Sequence, residues 1–223
     1  MIVPHLDHLS YSNLNLFDQC PKCWYLKYVL GYQLPGSDAM ELGRLVHEAI
    51  EHYHKSGGER PPEGYVSTFV ETYSEMYKPE DFDMVEQTLV VPIQHPTDPN
   101  IVLLRDGEEL PLMVKIDRIW NKWISDTKTS GRKYVQADID GNHQTVLYAY
   151  AYRKHFGEKE DGINFDVLIK NKVPKLQPLQ TFCTDENIVD TLQWVWDTWE
   201  KILSYPIPEY HTPKCWCPSF NPA

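Results

Sequence analysis

No stretch of this 223-residue chain approaches the roughly 18 consecutive apolar residues that a membrane span requires. Met1-Ile2-Val3-Pro4-His5 lacks a basic region leading into an apolar one, so no secretory leader is expected. The G-x-x-x-x-G-K-[ST] phosphate loop is missing too, so any helicase step must come from another chain. No internal repeat is apparent. Glu48 and His52 miss an H-E-x-x-H zinc site because the second histidine comes one residue late. Basic residues are scarce: 21 Lys and Arg stand against 32 Asp and Glu, a net charge of −11. That is the wrong overall sign for a surface that grips phosphates everywhere. These absences point to a cytoplasmic protein, where cysteines stay reduced and serve metals more often than disulfides.

What is present has the composition of a globular protein, 42% hydrophobic and 13% aromatic, in a length suited to one well-packed domain. Helical periodicity runs from Ser12 to Tyr32, broken at Pro21, with Ser12 or Asn13 as its cap. A second helix is predicted over 39–55, burying Leu42, Leu45, Val46, Ala49, Ile50 and Tyr53, and a third over 63–77. The period then shortens. Segments 84–94, 101–105, 110–120 and 122–128 read as strands, followed by a helix over 135–156. Strands 164–170 and 177–183 and a Trp-rich helix over 185–204 complete the pattern, before a tail with five prolines. The prediction is a single α/β domain: a helical segment 1–80, a mixed central sheet within 84–183, and a C-terminal helix and extended strap over 184–223.

The chemistry concentrates in one hairpin. If Asn121-Lys122 forms a two-residue type I′ turn, Trp120 pairs with Trp123, and counting outward sets Asp117 opposite Asp126. Strand alternation adds Lys128 to the same face. Opposed carboxylates repel, and Mg²⁺ or Mn²⁺, which prefer hard oxygen ligands, would remove the conflict. The competing reading is a solvated hairpin in which Asp117 pairs with Arg118 or Lys115 and Asp126 with Lys128. From Lys115 to Lys133 six basic residues (Lys115, Arg118, Lys122, Lys128, Arg132, Lys133) face two acids, a local +4 that suits either a phosphate-binding strip or an ordinary solvated surface.

Five motifs in order carry a resemblance. They are Leu9-Ser10-Tyr11-Ser12 through Cys20-Pro21, Gly43-Arg44-Leu45-Val46-His47, Ile116-Asp117-Arg118-Ile119, Ser125-Asp126-Thr127-Lys128-Thr129, and Gln144-Thr145-Val146-Leu147-Tyr148. Together, over about residues 9 to 220, they resemble the RecB/AddB-like branch of the PD-(D/E)XK nucleases, including the iron–sulfur nucleases of CRISPR adaptation and related phage exonucleases. The resemblance implies a restriction-endonuclease-like core with Asp117, Asp126, Lys128, Gln144 and Tyr148 as catalytic residues. It implies that Asp117, Asp126, the Thr127 backbone carbonyl and His47 hold the metal, and that the substrate is DNA, single-stranded or at ends. A helicase or recombination partner fits that setting. For His47 a satisfied helix histidine is the plain alternative. For Gln144 and Tyr148, four apart on one helix face, it is a half-buried helix surface. A non-catalytic DNA-binding or scaffold subunit that keeps the fold is the competing function; an intact Asp117, Asp126, Lys128 and His47 set speaks against it.

Cys20 and Cys23 lie near one end, Cys215 and Cys217 near the other, and Cys183 alone at a strand end, where it reads as core. Relatives with a cluster use one N-terminal and three C-terminal cysteines, a plan this chain departs from. Two ligands from each end could still bind a [4Fe–4S] cluster, four thiolates could bind Zn²⁺ instead, or the thiols could be idle.

Overall fold

The computed structural model describes residues 6–34, 36–206 and 208. The chain divides into two compact units. One comprises residues 1–36, 90–114 and 185–223, the other residues 37–89 and 115–184.

In the first unit the expected N-terminal helix forms as two, α1 (Tyr11–Gln19) and α2 (Pro21–Tyr28). Proline at the first position of α2 explains the break, since its missing N–H is needed by no helical partner there. The cap of α1 is Ser10 rather than Ser12 or Asn13. Its hydroxyl accepts from the Asn13 N–H, and the Asn13 side chain accepts from the Ser10 N–H in return. Both cysteines of this segment are buried, and Cys20 caps α2 by accepting the Cys23 N–H on its sulfur at 3.4 Å. Helix α6 (Asp185–Ser204) meets α1, where the Trp194 indole N–H donates to Asp18 at 2.7 Å. The short hairpin β2 (Leu104–Arg105) and β3 (Glu108–Glu109) turns at Asp106-Gly107, both at positive φ. Asp-Gly is a strong hairpin signal that the periodicity reading passed over.

The second unit holds α3 (Asp38–Lys55), α4 (Tyr65–Ser74) and α5 (His143–Phe156), with β5 (Trp123–Ser130), β6 (Gly162–Ile169), β7 (Lys175–Thr181) and most of β1 (Met84–Val91) and β4 (Leu112–Trp120). These strands form a mixed five-stranded sheet in the order β1-β4-β5-β6-β7, flanked by helices. It is the α/β architecture expected from sequence. Strand β5 pairs antiparallel with β4 and parallel with β6, which pairs antiparallel with β7. Pro178 is tolerated because β7 is an edge strand, where one N–H is dispensable.

Helices α3 and α4 cover one sheet face through a core of Val46, Ile50, Tyr53, Phe69, Val70 and Tyr73 against Leu168. Leu45, expected in that stripe, is instead 37% exposed. Helix α5 covers the other face and ends at Gly157, whose φ of 73° is the left-handed conformation that glycine adopts without penalty. It starts at His143, later than predicted, because the preceding residues form a short 3₁₀ turn over Gln136–Asp138. Gly162 is required by its neighbour across the sheet: a Cβ there would lie 2.4 Å from the Trp123 ring.

Candidate active site

The turn folds as the residue pattern demands. Asn121 and Lys122 have φ of 41° and 66°, and the β4–β5 register runs Trp120↔Trp123, Ile119↔Ile124, Arg118↔Ser125. One step further, the Asp117 side chain takes the Thr127 N–H on Oδ2 at 2.8 Å. A carboxylate thus occupies a place where a ladder bond would otherwise run, which ties Asp117 to β5.

Asp126 points to the α5 face and Thr127 to the α3/α4 face, as alternation in the parallel β5–β6 register requires. Asp126 is 1% exposed. Its Oδ1 accepts from the Tyr148 hydroxyl and from Lys128 Nζ, both at 3.1 Å. Its Oδ2 lies 2.8 Å from Lys128 Nζ, yet receives no hydrogen bond of good geometry. Tyr148 in turn accepts from Gln144 Nε2 at 2.7 Å, the i,i+4 contact expected along α5. His47 reaches the site from α3, its Nδ1 3.4 Å from Asp117 Oδ2. Gly43, one helical turn earlier, permits that approach, because a Cβ there would already press on Thr129 Oγ1 at 3.1 Å. All six expected side-chain positions lie in the second unit, in two contact groups on adjacent strands: Asp126 with Lys128, Tyr148 and, through Tyr148, Gln144; and Asp117 with His47.

Burial pushes the Asp117 carboxyl up, and the negative charge of Asp126 pushes it further; His47, Arg118 and Lys128 pull the other way without cancelling the rise. Burial works against the Lys128 charge, but Asp126 and Asp117 outweigh it and hold the ammonium above its ordinary value. Burial, with Asp126 beside it, also raises the Tyr148 phenol, so it stays a donor. A hard divalent cation fits this donor set: two carboxyl groups penalised by their own charge, an Asp126 oxygen with spare lone pairs, and an imidazole alongside. Among the described residues, no three such side chains already converge on one point.

The basic strip turns out differently from a free phosphate-binding surface. Five of its six cations are paired: Lys115 with Glu86, Arg118 with Asp166, Lys122 with Glu158, Lys128 with Asp126 and Arg132 with Asp138. The Asp126–Lys128 pair of the plain-hairpin reading is real, whereas Asp117 contacts His47 and Thr127 instead of Arg118 or Lys115. Arg118 is 2% exposed and cannot be a surface residue.

Other residues escaped sequence reasoning. Glu51 and Glu86 border a small cavity with His47, His54, Asp117 and Thr127. Glu86 does so from a left-handed φ of 56°, which no residue pattern in a strand announces. Behind Asp117 lies a buried polar cluster. Arg118 donates to Asp166 Oδ2 at 3.0 Å, and Tyr77 donates to Asp166 Oδ1 at 2.7 Å. The guanidinium sits over the rings of Tyr73 and Phe82. Burial pushes the Asp166 carboxyl up, while Arg118 and Tyr77 oppose that push. Next to it His54 donates through Nδ1 to the Pro79 carbonyl at 3.3 Å, leaving Nε2 to accept from Tyr73 at 2.8 Å. Burial lowers the His54 imidazole to about 4, so it is neutral here.

Comparison with known proteins gives the family and the fold. A family model for the PD-(D/E)XK nuclease superfamily matches residues 8–219, and the chain belongs to that superfamily. Among solved structures the chain is similar to a protein from Eubacterium rectale described provisionally as an exonuclease. The two share 15% identity over 88% of this chain and 80% of that one, with a TM-score of 0.58, a likeness of fold. A second structure, SSO0001, shares 13% identity over 93% of this chain and 81% of its own, with a TM-score of 0.49. No curated protein matches. Among the described residues no helix is long and apolar enough to cross a membrane.

Proposed function

We propose that this chain is a Mg²⁺- or Mn²⁺-dependent deoxyribonuclease of the RecB/AddB-like branch. It would act as an exonuclease or flap nuclease on single-stranded DNA or DNA ends, in recombination, repair or phage replication, beside a helicase or recombination partner. The observation that carries this reading is the convergence of Lys128 and Tyr148 on a buried Asp126, one strand away from an Asp117 whose charge is unfavourable without a cation.

Asp117, Asp126, the Thr127 carbonyl and His47 would hold the cation. When bound, such an ion lowers the pKa of a water and polarises the scissile phosphate. The protein's own groups do the rest. Tyr148, itself fixed by Gln144, holds the Asp126 carboxylate in one orientation. Lys128 keeps its proton and sets a positive charge beside a phosphate that gains negative charge as water attacks in line and the opposite P–O bond breaks. The attacking water gives up a proton to solvent, and the departing oxygen takes one from it. Gln144, at the outer end of this chain of hydrogen bonds, would meet the DNA backbone.

Labelled linear single- and double-stranded DNA, incubated with Mg²⁺ or Mn²⁺ and with EDTA, tests the reading. Nucleotide release in the metal lanes and none in EDTA is expected. DNA binding without cleavage under any metal would instead make the chain a scaffold subunit. At the chain ends, Cys20 and Cys23 with Cys215 and Cys217 would hold a [4Fe–4S] cluster, with Zn²⁺ as the alternative. The support is the buried, one-turn placement of Cys20 and Cys23; Cys215 and Cys217 lie outside the described residues. Anaerobically purified protein should be brown, and Cys217→Ser should bleach it. Colourless protein with about one zinc per chain would exchange the cluster for zinc.

A further inference from the structure

The Arg118–Asp166 pair has no part in the chemistry above, yet it is the most enclosed ion pair of the second unit, with side chains 2% and 0% exposed. Arg118 is on β4 and Asp166 on β6, so the pair reaches across β5. The link runs diagonally over β5, from Arg118, the partner of Ser125, to Asp166, the partner of Thr127. Thr127 is also the residue whose N–H the Asp117 carboxylate accepts, and Asp117 directly precedes Arg118. The β4–β5 pairing ends at Arg118↔Ser125, so Asp117 lies just beyond it. Two side-chain links, one on each of two adjacent β4 residues, thus bind that end of the pairing to β5 and β6.

Such a pair is hard to explain by stability alone, because two ions removed from water are often replaced by apolar residues without loss. Its surroundings are made for rigidity: Tyr77 holds the second Asp166 oxygen, and the Tyr73 and Phe82 rings confine the guanidinium. We propose that Arg118 and Asp166 are positioning residues that clamp β4 across β5 and thereby keep the Asp117 carboxylate on the Thr127 amide. The coupling of this clamp to metal use rests on the nuclease reading; the clamp itself does not.

The test uses the full chain and the double variant Arg118→Met/Asp166→Leu, which removes both charges together and avoids an orphaned buried ion. Amide hydrogen exchange without metal reads the Asp117–Thr127 bond directly. Cleavage of a single-stranded oligonucleotide over a Mn²⁺ series reads its consequence, and thermal melting controls for folding. Expected are faster exchange at Thr127 with strands β5 and β6 otherwise protected, and a half-saturating Mn²⁺ concentration raised about tenfold or more, as when outer support of a metal site is lost. A purely structural pair would lower the melting temperature and leave the Mn²⁺ dependence of the folded fraction unchanged. Thr127 exchange equal to wild type overturns the clamp, and an unshifted Mn²⁺ series in an active double variant overturns its coupling to metal use. Should the double variant fail to fold, Arg118→Lys takes its place with the same readouts, since one ammonium cannot reproduce the planar fork. Wild-type protein that never cleaves would sink the nuclease reading and leave the Thr127 exchange to decide the clamp.

Discussion

Two buried carboxylates of the same sheet have been given opposite neighbourhoods. Asp166 on β6 has a guanidinium on one oxygen and a phenol on the other, with aromatic rings closing the space around them. Asp117 on β4 has one backbone N–H, an imidazole at 3.4 Å, and the unfavourable charge of Asp126. Complete satisfaction suits a residue that must hold still. A residual negative charge, kept at an energetic cost, suits one that awaits a cation. The contrast shows why burial alone does not mark a functional acid: what counts is whether its own charge is met by its neighbours.

The comparison is broken most sharply by activity. Asp126→Ala and Lys128→Ala should each reduce metal-dependent cleavage by about a hundredfold or more, with far-ultraviolet circular dichroism unchanged. Near wild-type cleavage by Asp126→Ala would remove the site assignment. On the other side of the contrast, Asp166→Ala strands a buried guanidinium and should cost about 3–5 kcal/mol in urea unfolding. A loss well under about 1 kcal/mol would show that Arg118 finds water or another partner.

The neutral His54 sharpens the picture through pH. Its folded value of about 4 lies below the ordinary 6.5, so the stability it contributes is present above pH 6.5. That contribution fades as pH falls below 6.5 and is gone near 4, on the order of 2 kcal/mol. Melting of wild type and His54→Gln from pH 7.5 to 4.5 should show the wild-type advantage shrinking over that window; a constant difference would mean that His54 is not neutral in the fold. The smallest effect belongs to Asp117. Its carboxyl is raised, so its ionised form opposes folding as pH climbs past the carboxylate range. Asp117→Asn in EDTA should therefore gain up to about 1 kcal/mol near neutral pH, roughly 2–4 °C in a chain of this length, and lose that gain once Mn²⁺ is added. A melting point several degrees below wild type would recast Asp117 as a structural partner.

Much of this was readable from residues alone. The Asn121-Lys122 turn settles the hairpin register through local backbone preference, and the register puts Asp117 and Asp126 on neighbouring strands before any tertiary packing is known. His47 and the Gln144–Tyr148 pair were legible only through their motifs, because helical spacing says which face a residue shares and not what that face meets. The Arg118–Asp166 pair was illegible, since its partners are 48 residues apart and their link depends on strand order across β5. The basic strip misled for the same reason. Counting charges along 115–133 omits Glu86, Asp138, Glu158 and Asp166, which the fold brings to it.

That neutralised strip has a kinetic side. A polyanion diffusing toward the hairpin meets closed cation–carboxylate doublets whose fields cancel within a few ångströms, on a molecule already charged −11. Long-range steering, which lifts association toward about 10⁸–10⁹ M⁻¹s⁻¹ at low salt, is then absent, and encounter should run no faster than the unsteered rate of about 10⁵–10⁶ M⁻¹s⁻¹. A nucleic acid would then approach against the net negative charge of the molecule, and added salt, by screening that repulsion, would speed its arrival rather than slow it.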